Sequence, residues 1–178
     1  MAAVAELGSL VATPRAMLNF FAKRRLKKQL SEYLDPEAVR DVLDGRMDTA
    51  KIHSGRIEFI FAFVRADSLE QLAQRIGLVA DAGMEHDALV HDIIGPMVVM
   101  AYGTLRPGEP SGSRQQLVGH WQQQFGADIK IVHGAADGHF GNFGSDKRMS
   151  FTFTFPHFDQ ALATLGRLEF GRTEEFTP

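Results

Sequence analysis

The stretch Ile57-Glu58-Phe59-Ile60-Phe61-Ala62-Phe63-Val64 decides the fold of this chain. Apolar side chains stand at both its odd and its even positions, so both faces of an extended segment would be apolar. Such a strand is buried on both faces and lies in the interior of a sheet. We therefore predict that residues 57–64 form a central β-strand.

The elements that follow this strand are predicted from their hydrophobic periodicity. Helical spacing indicates helices over 68–81, 113–125 and 158–170, and extended or alternating patterns indicate strands over 89–94, 97–102, 128–136 and 148–155. From residue 57 the order is β-α-β-β-α-β-β-α. This order predicts an α+β fold with a ferredoxin-like βαββαβ core, an added strand and helix, and an antiparallel sheet with helices on one face.

The first part of the chain differs in charge from the rest. Residues 1–28 carry six Lys or Arg residues and one acidic residue, whereas the whole chain has a net charge of −3. We predict a basic helix and a short linker helix within 1–46, followed by one domain over 55–178. The basic helix, around residues 15–28, would pack on a partner helix or lie on an anionic membrane surface.

Composition excludes several classes of function. The chain has no cysteine, which excludes disulfide scaffolds, thiolate zinc sites and cysteine nucleophiles. A net charge of −3 gives no support to nucleic-acid binding. No apolar run reaches the ~18 residues of a membrane span. We expect a cytoplasmic protein, with peripheral membrane attachment through the basic helix as the alternative.

The most distinctive stretch is Gly141-Asn142-Phe143-Gly144-Ser145-Asp146-Lys147-Arg148-Met149-Ser150-Phe151-Thr152. Glycine tolerates positive φ and allows close backbone approach, so we interpret the stretch as a glycine turn that connects two strands. A phosphate-binding loop is the alternative interpretation.

This glycine stretch resembles the hairpin motif of class III adenylate and guanylate cyclases. Three further segments match that family in chain order: 33–39 resembles the motif before its catalytic domain, 57–64 its first metal-bearing strand, and 93–103 its second metal hairpin. The resemblance covers about residues 33–170 and implies the fold already predicted from periodicity. The family has further strands after the closing helix, which we expect to be missing or much reduced here.

The resemblance implies two metal-binding carboxylates that this chain lacks. Family cyclases hold two divalent cations, which activate the ribose hydroxyl and neutralise the triphosphate. The two carboxylate positions correspond to Phe63 and Pro96. Neither side chain offers the oxygen ligands that a hard cation requires. We therefore expect no metal cofactor and no cyclase activity, with Mg²⁺ or Mn²⁺ needed only if an unconventional site exists.

The remaining family positions are mostly altered as well. The base-selecting lysine corresponds to Asp92, the second base-contacting residue to Thr152 and the ribose-orienting asparagine to Asp159. The transition-state arginine corresponds to Ala163, or to Arg167 if a four-residue gap is allowed. The candidates for a nucleotide or ligand pocket are Asp92, Lys147, Thr152 and Asp159, with Arg167 as a weak catalytic candidate.

Three functional hypotheses remain open from the sequence. The first is a catalytically silent cyclase-like domain that acts as a dimeric signalling or scaffold module. The second is an active adenylate or guanylate cyclase with an unconventional metal site. The third is a sensor that binds a small ligand in the cleft left by the metals, although aromatic packing would also fill that cleft.

Overall fold

The computed structural model describes residues 52–102, 113–145 and 148–178. The helices predicted within 1–46 lie outside the described residues, as does Lys147, so the domain boundaries stay predictions. Within the described ranges, no helix combines the length and apolarity needed to cross a membrane.

The described elements follow the predicted order and add one strand. They are β1 (His53–Val64), α1 (Leu69–Glu85), β2 (Leu89–Ile94), β3 (Met97–Tyr102), α2 (Ser113–Phe125), β4 (Ile129–Ser145), β5 (Arg148–Thr154), α3 (Phe158–Arg167) and β6 (Thr173–Phe176). The α+β class and the ferredoxin-like arrangement are thereby confirmed. Strand β6 was not predicted, because four residues following a helix give too short a pattern to recognise.

Strand β1 lies inside the sheet, as its two apolar faces predicted. The sheet order is β2-β3-β1-β4-β5, and β6 also pairs with β4. All pairings are antiparallel except β4 with β6, which is parallel. In this register Phe63 stands opposite Met97 on one side and opposite Lys130 on the other.

The helices cover both faces of the sheet, so the prediction that they share one face is wrong. Helices α1 and α2 pack on the face of β1 that carries Ile60, Ala62 and Val64. Helix α3 packs on the opposite face, against Phe59 and Phe61. The two apolar faces of β1 each require a cover, and the closing helix supplies the second one.

The glycine stretch 141–152 connects two strands, as predicted, but β4 extends further into it than expected and ends only at Ser145. Gly141 pairs with Thr152 and Gly144 with Met149, and the chain reverses between Ser145 and Arg148.

At two positions earlier in β4, steric crowding explains why the residue is glycine. A Cβ at Gly138 would lie 2.4 Å from the Thr154 carbonyl oxygen, and one at Gly134 would lie 2.3 Å from that of Phe176. At these two positions glycine therefore permits close backbone approach within a strand.

Candidate functional site

The two positions that correspond to the family's metal ligands come together in the structure. Phe63 lies near the end of β1, and Pro96 lies in the β2–β3 turn, where Gly95 has a φ of +57°. The backbone N–H of Val64 donates to the carbonyl of Pro96 at 3.0 Å. The fold thus retains the neighbourhood of the two positions although neither residue is a carboxylate.

A lysine side chain lies at this place. Lys130 is only 9% exposed, and its Nζ lies 5.2 Å from the ring centroid of Phe63 and 5.3 Å from that of Phe170. The same Nζ donates to the carbonyl oxygens of Leu168 at 3.2 Å and Gly166 at 3.4 Å. These carbonyls belong to the C-terminal end of α3, where the helix dipole favours a cation.

A second cation, Arg65, also contacts the ring of Phe170. The guanidinium carbon of Arg65 lies 4.9 Å from the Phe170 ring centroid. Cations and rings therefore alternate in the order Arg65, Phe170, Lys130 and Phe63, which we call the cation–ring stack. Asp128 balances the outer charge, with its Oδ1 3.0 Å from Nη2 of Arg65.

Asp128 joins this end of β1 to helix α1. Its Oδ2 lies 2.8 Å from Nη2 of Arg75, so one carboxylate pairs with two guanidinium groups. The hydrogen bond from Arg65 is the main cause that holds the pKa of Asp128 below its ordinary value, and the charge of Arg75 adds to it.

These residues do not fit a divalent metal. A phenyl ring and a proline replace the two oxygen ligands, and an ammonium group lies beside the ring. Nor do the described residues contain any other group of three or more His, Asp or Glu side chains that could hold a metal ion.

The predicted pocket residues are dispersed. Asp92 is exposed on β2, where its Oδ1 accepts from the backbone N–H of Ile93 at 2.8 Å. Thr152 is half-buried on β5, and Asp159 is exposed in the first turn of α3. Within the described part of the chain, no hydrogen bond or ion pair joins these three side chains. They do not form a common polar site in this chain.

The two candidate positions for the transition-state arginine lie on the same helix. Ala163 and Arg167 are both exposed on α3. Nη2 of Arg167 lies 3.5 Å from the hydroxyl of Thr164 in the preceding turn.

The sequence did not single out Lys130, Phe170 or Arg65. Lys130 offered one usable signal, since it is a lone charge in the apolar run Ile129-Lys130-Ile131-Val132. A buried lysine needs hydrogen-bonding partners, but its partners lie at the end of a helix far along the chain. That proximity is visible only in the tertiary structure.

A buried polar cluster lies on the other face of the sheet. Arg114 of α2 pairs with Glu175 of β6 at 2.9 Å and with Glu58 of β1 at 3.3 Å. Burial lowers the pKa of His133, and the nearby Arg114 charge lowers it further. Burial raises the pKa of Tyr102, and the charge of Glu58 raises it further. The cluster ties β6 and α2 to the sheet, and its surroundings favour the neutral form of His133.

Solved structures with the same architecture are nucleotide cyclases. The adenylyl cyclase CyaB from P. aeruginosa has a TM-score of 0.54 and 14% identity, covering 70% of this chain and 78% of that one. The guanylate cyclase domain of RhGC from Catenaria anguillulae, in complex with GTP, has a TM-score of 0.58 and 10% identity, covering 71% and 80%. This chain has the fold of a class III nucleotide cyclase domain.

Other comparisons set the limits of this likeness. The non-canonical dimeric guanylyl cyclase domain of the RhoGC fusion protein from Blastocladiella emersonii has a TM-score of 0.57 and 9% identity, covering 71% of this chain and 82% of that one. No family model and no curated protein matches the sequence. The cyclase-like domain therefore shares a fold with these enzymes at low sequence identity.

Proposed function

We propose that this cyclase-like domain is catalytically silent and acts as a homodimeric signalling or scaffold module in the cytoplasm. The observation that carries the proposal is the cation–ring stack. Phe63 stands at a position that the resemblance assigns to a metal-binding carboxylate, and the ammonium of Lys130 lies 5.2 Å from its ring centroid. Phe63, one of the two residues at such positions, thus packs against a cation of the same protein.

Electrostatics opposes metal binding at this place. A divalent ion about 5 Å from an ammonium group would be repelled by roughly 7 kcal/mol at an effective dielectric constant of about 20. No carboxylate at Phe63 or Pro96 offsets that repulsion. Since a metal clamp supplies several kcal/mol of transition-state stabilisation, turnover without it should fall to background.

Aromatic packing supports a scaffold more than an open ligand cleft. On the face covered by α3, the Phe59 and Phe155 rings stack with centroids 4.4 Å apart, and Phe61 and Phe158 meet edge to face at 5.1 Å. Phe153 and Phe155 are buried. These rings fill the apolar side of the sheet with side chains of the same protein.

The dimer proposal rests on the similar structures and on exposed apolar surface. The Blastocladiella emersonii domain is described as dimeric. Ile93 and Ile94 are exposed at the end of β2. A second copy of the chain would cover such surface. The basic segment 15–28 would attach the dimer to a partner helix or an anionic membrane surface.

Titration with fluorescent ATP and GTP analogues, with and without Mn²⁺, tests catalytic silence. We expect no Mn²⁺-dependent rise in fluorescence anisotropy and no cyclic nucleotide after prolonged incubation. A Mn²⁺- or Mg²⁺-dependent cyclic product would refute the proposal and establish an active cyclase with an unconventional site. Size-exclusion chromatography with light scattering tests the dimer separately, and a monomer at high concentration would refute that part alone.

A further inference from the structure

A pocket lies between the end of α3 and strand β6, apart from the rings of the cation–ring stack. Its volume is about 340 Å³, which falls in the range of small-ligand sites. Its lining residues are Thr164, Arg167, Leu168, Glu169, Arg172 and Glu174.

The two guanidinium groups of this pocket differ from those of Arg65 and Arg75. Arg65 and Arg75 pair with Asp128. In contrast, neither Arg167 nor Arg172 has a carboxylate within 4.0 Å in the described ranges, and the only hydrogen bond of the Arg167 side chain there is the 3.5 Å approach to Thr164.

The two acidic side chains of the pocket, Glu169 and Glu174, are likewise in no ion pair with another described residue. Two guanidinium and two carboxylate groups thus line one cavity with their charges available to a ligand.

This balance of charges selects a class of ligand. A guanidinium binds a phosphate or carboxylate through two parallel hydrogen bonds. A simple anion would gain those bonds but would also be repelled by the two carboxylates. A ligand that carries an anionic group and an ammonium group satisfies both halves of the lining. We propose that this pocket binds a small zwitterion whose phosphate or carboxylate contacts Arg167 and Arg172 and whose ammonium contacts Glu169 and Glu174.

Isothermal titration calorimetry on the full chain tests the proposal with four ligands. O-phosphoethanolamine combines an ammonium group with a phosphate, and γ-aminobutyrate combines an ammonium group with a carboxylate. Inorganic phosphate supplies only the anionic group, and ethanolamine supplies only the ammonium group. We expect at least one zwitterion to bind about tenfold or more tightly than either single-charge ligand, because each charge-assisted contact contributes. Which zwitterion binds more tightly identifies the anionic group that the pocket prefers.

Charge-removing variants locate the binding. Arg172→Gln should weaken binding of the zwitterion about tenfold or more. Glu174→Gln should weaken the zwitterion but strengthen inorganic phosphate, because it removes repulsion of the anion. The matched controls Arg56→Gln and Glu85→Gln change exposed residues that do not line the pocket and should leave both affinities unchanged.

Three outcomes would overturn the proposal: no heat of binding with any of the four ligands, inorganic phosphate binding as tightly as both zwitterions, or zwitterion affinity unaffected by Arg172→Gln. None of these outcomes bears on catalytic silence, because no nucleotide or metal enters the experiment.

Discussion

Replacing Lys130 by methionine tests whether the buried ammonium stabilises the protein through the cation–ring stack. The variant keeps an unbranched apolar side chain but loses the hydrogen bonds to Leu168 and Gly166 and both ring contacts. Hydrogen bonds to charged groups contribute about 1.5–3 kcal/mol each. At 3.2 and 3.4 Å these two belong at the low end of that range.

Two further effects contribute to the expected loss in the free energy of unfolding. A desolvated cation–ring contact adds on the order of 1 kcal/mol. The methionine variant no longer carries the desolvation cost of a buried ammonium group, and this offsets part of the lost stabilisation. We therefore expect Lys130→Met to lower the free energy of unfolding by about 2 kcal/mol, or the melting temperature by roughly 4–8 °C for a chain of this size.

Urea denaturation followed by circular dichroism measures this loss. Arg56→Met serves as the control, since the Arg56 side chain is exposed and its nearest carboxylate oxygen is 3.9 Å away on Asp137. An exposed pair of this kind contributes little. If Lys130→Met were as stable as the unchanged protein, the ammonium would not stabilise this site and the argument from the cation–ring stack would be refuted.

Three further changes test other parts of the structure. The carboxylate introduced by Phe63→Asp should pair with the Lys130 ammonium rather than create a metal site. Millimolar Mn²⁺ should therefore not raise the melting temperature of this variant, and a Mn²⁺-dependent rise would contradict the prediction. Gly134→Ala should cost about 1–3 kcal/mol in urea denaturation, because its Cβ would lie 2.3 Å from the carbonyl oxygen of Phe176. The matched control Gly77→Ala meets nothing within 4 Å and should stabilise α1 by about 0.5–1 kcal/mol; equal stability losses would refute the steric argument. Because folding lowers the pKa of His133, its contribution to stability should be complete above the unfolded value of about 6.5 and decline as pH falls below it. His133→Gln should flatten that part of a pH–stability profile, and an unchanged slope would exclude His133 as its source.

Much of the fold could be predicted because its signals are local. The apolar run of β1, the Gly95-Pro96 hairpin and the Ser68 cap each lie within a few neighbouring residues, and the Ser68 hydroxyl does accept from the backbone N–H of Gln71 at 3.1 Å. The prediction failed where partners decide the conformation. The glycine stretch correctly indicated a connection between two strands, but not that β4 extends through Gly141 and Gly144, where β5 supplies its hydrogen bonds.

The candidate site divides in the same way. Loss of the two carboxylates is a matter of residue identity, so Phe63 and Pro96 could be assigned once the resemblance set the register. The cation beside Phe63 could not be predicted, because Lys130 gave no indication of the rings and carbonyls that surround it. Those partners come from the end of α3 and the loop that follows it, far from Lys130 along the chain.

The sequence by itself determined the order of strands and helices from β1 to α3, and it predicted that Phe63 and Pro96 occupy the family's two metal-ligand positions, because periodicity and side-chain chemistry are properties of short segments. Only the tertiary structure decided that α3 covers the second face of the sheet, that β6 joins β4, and that Lys130 lies between Phe63 and Phe170. Each of these depends on residues that are distant along the chain, and burial of both apolar faces of β1 is the physical reason that they meet.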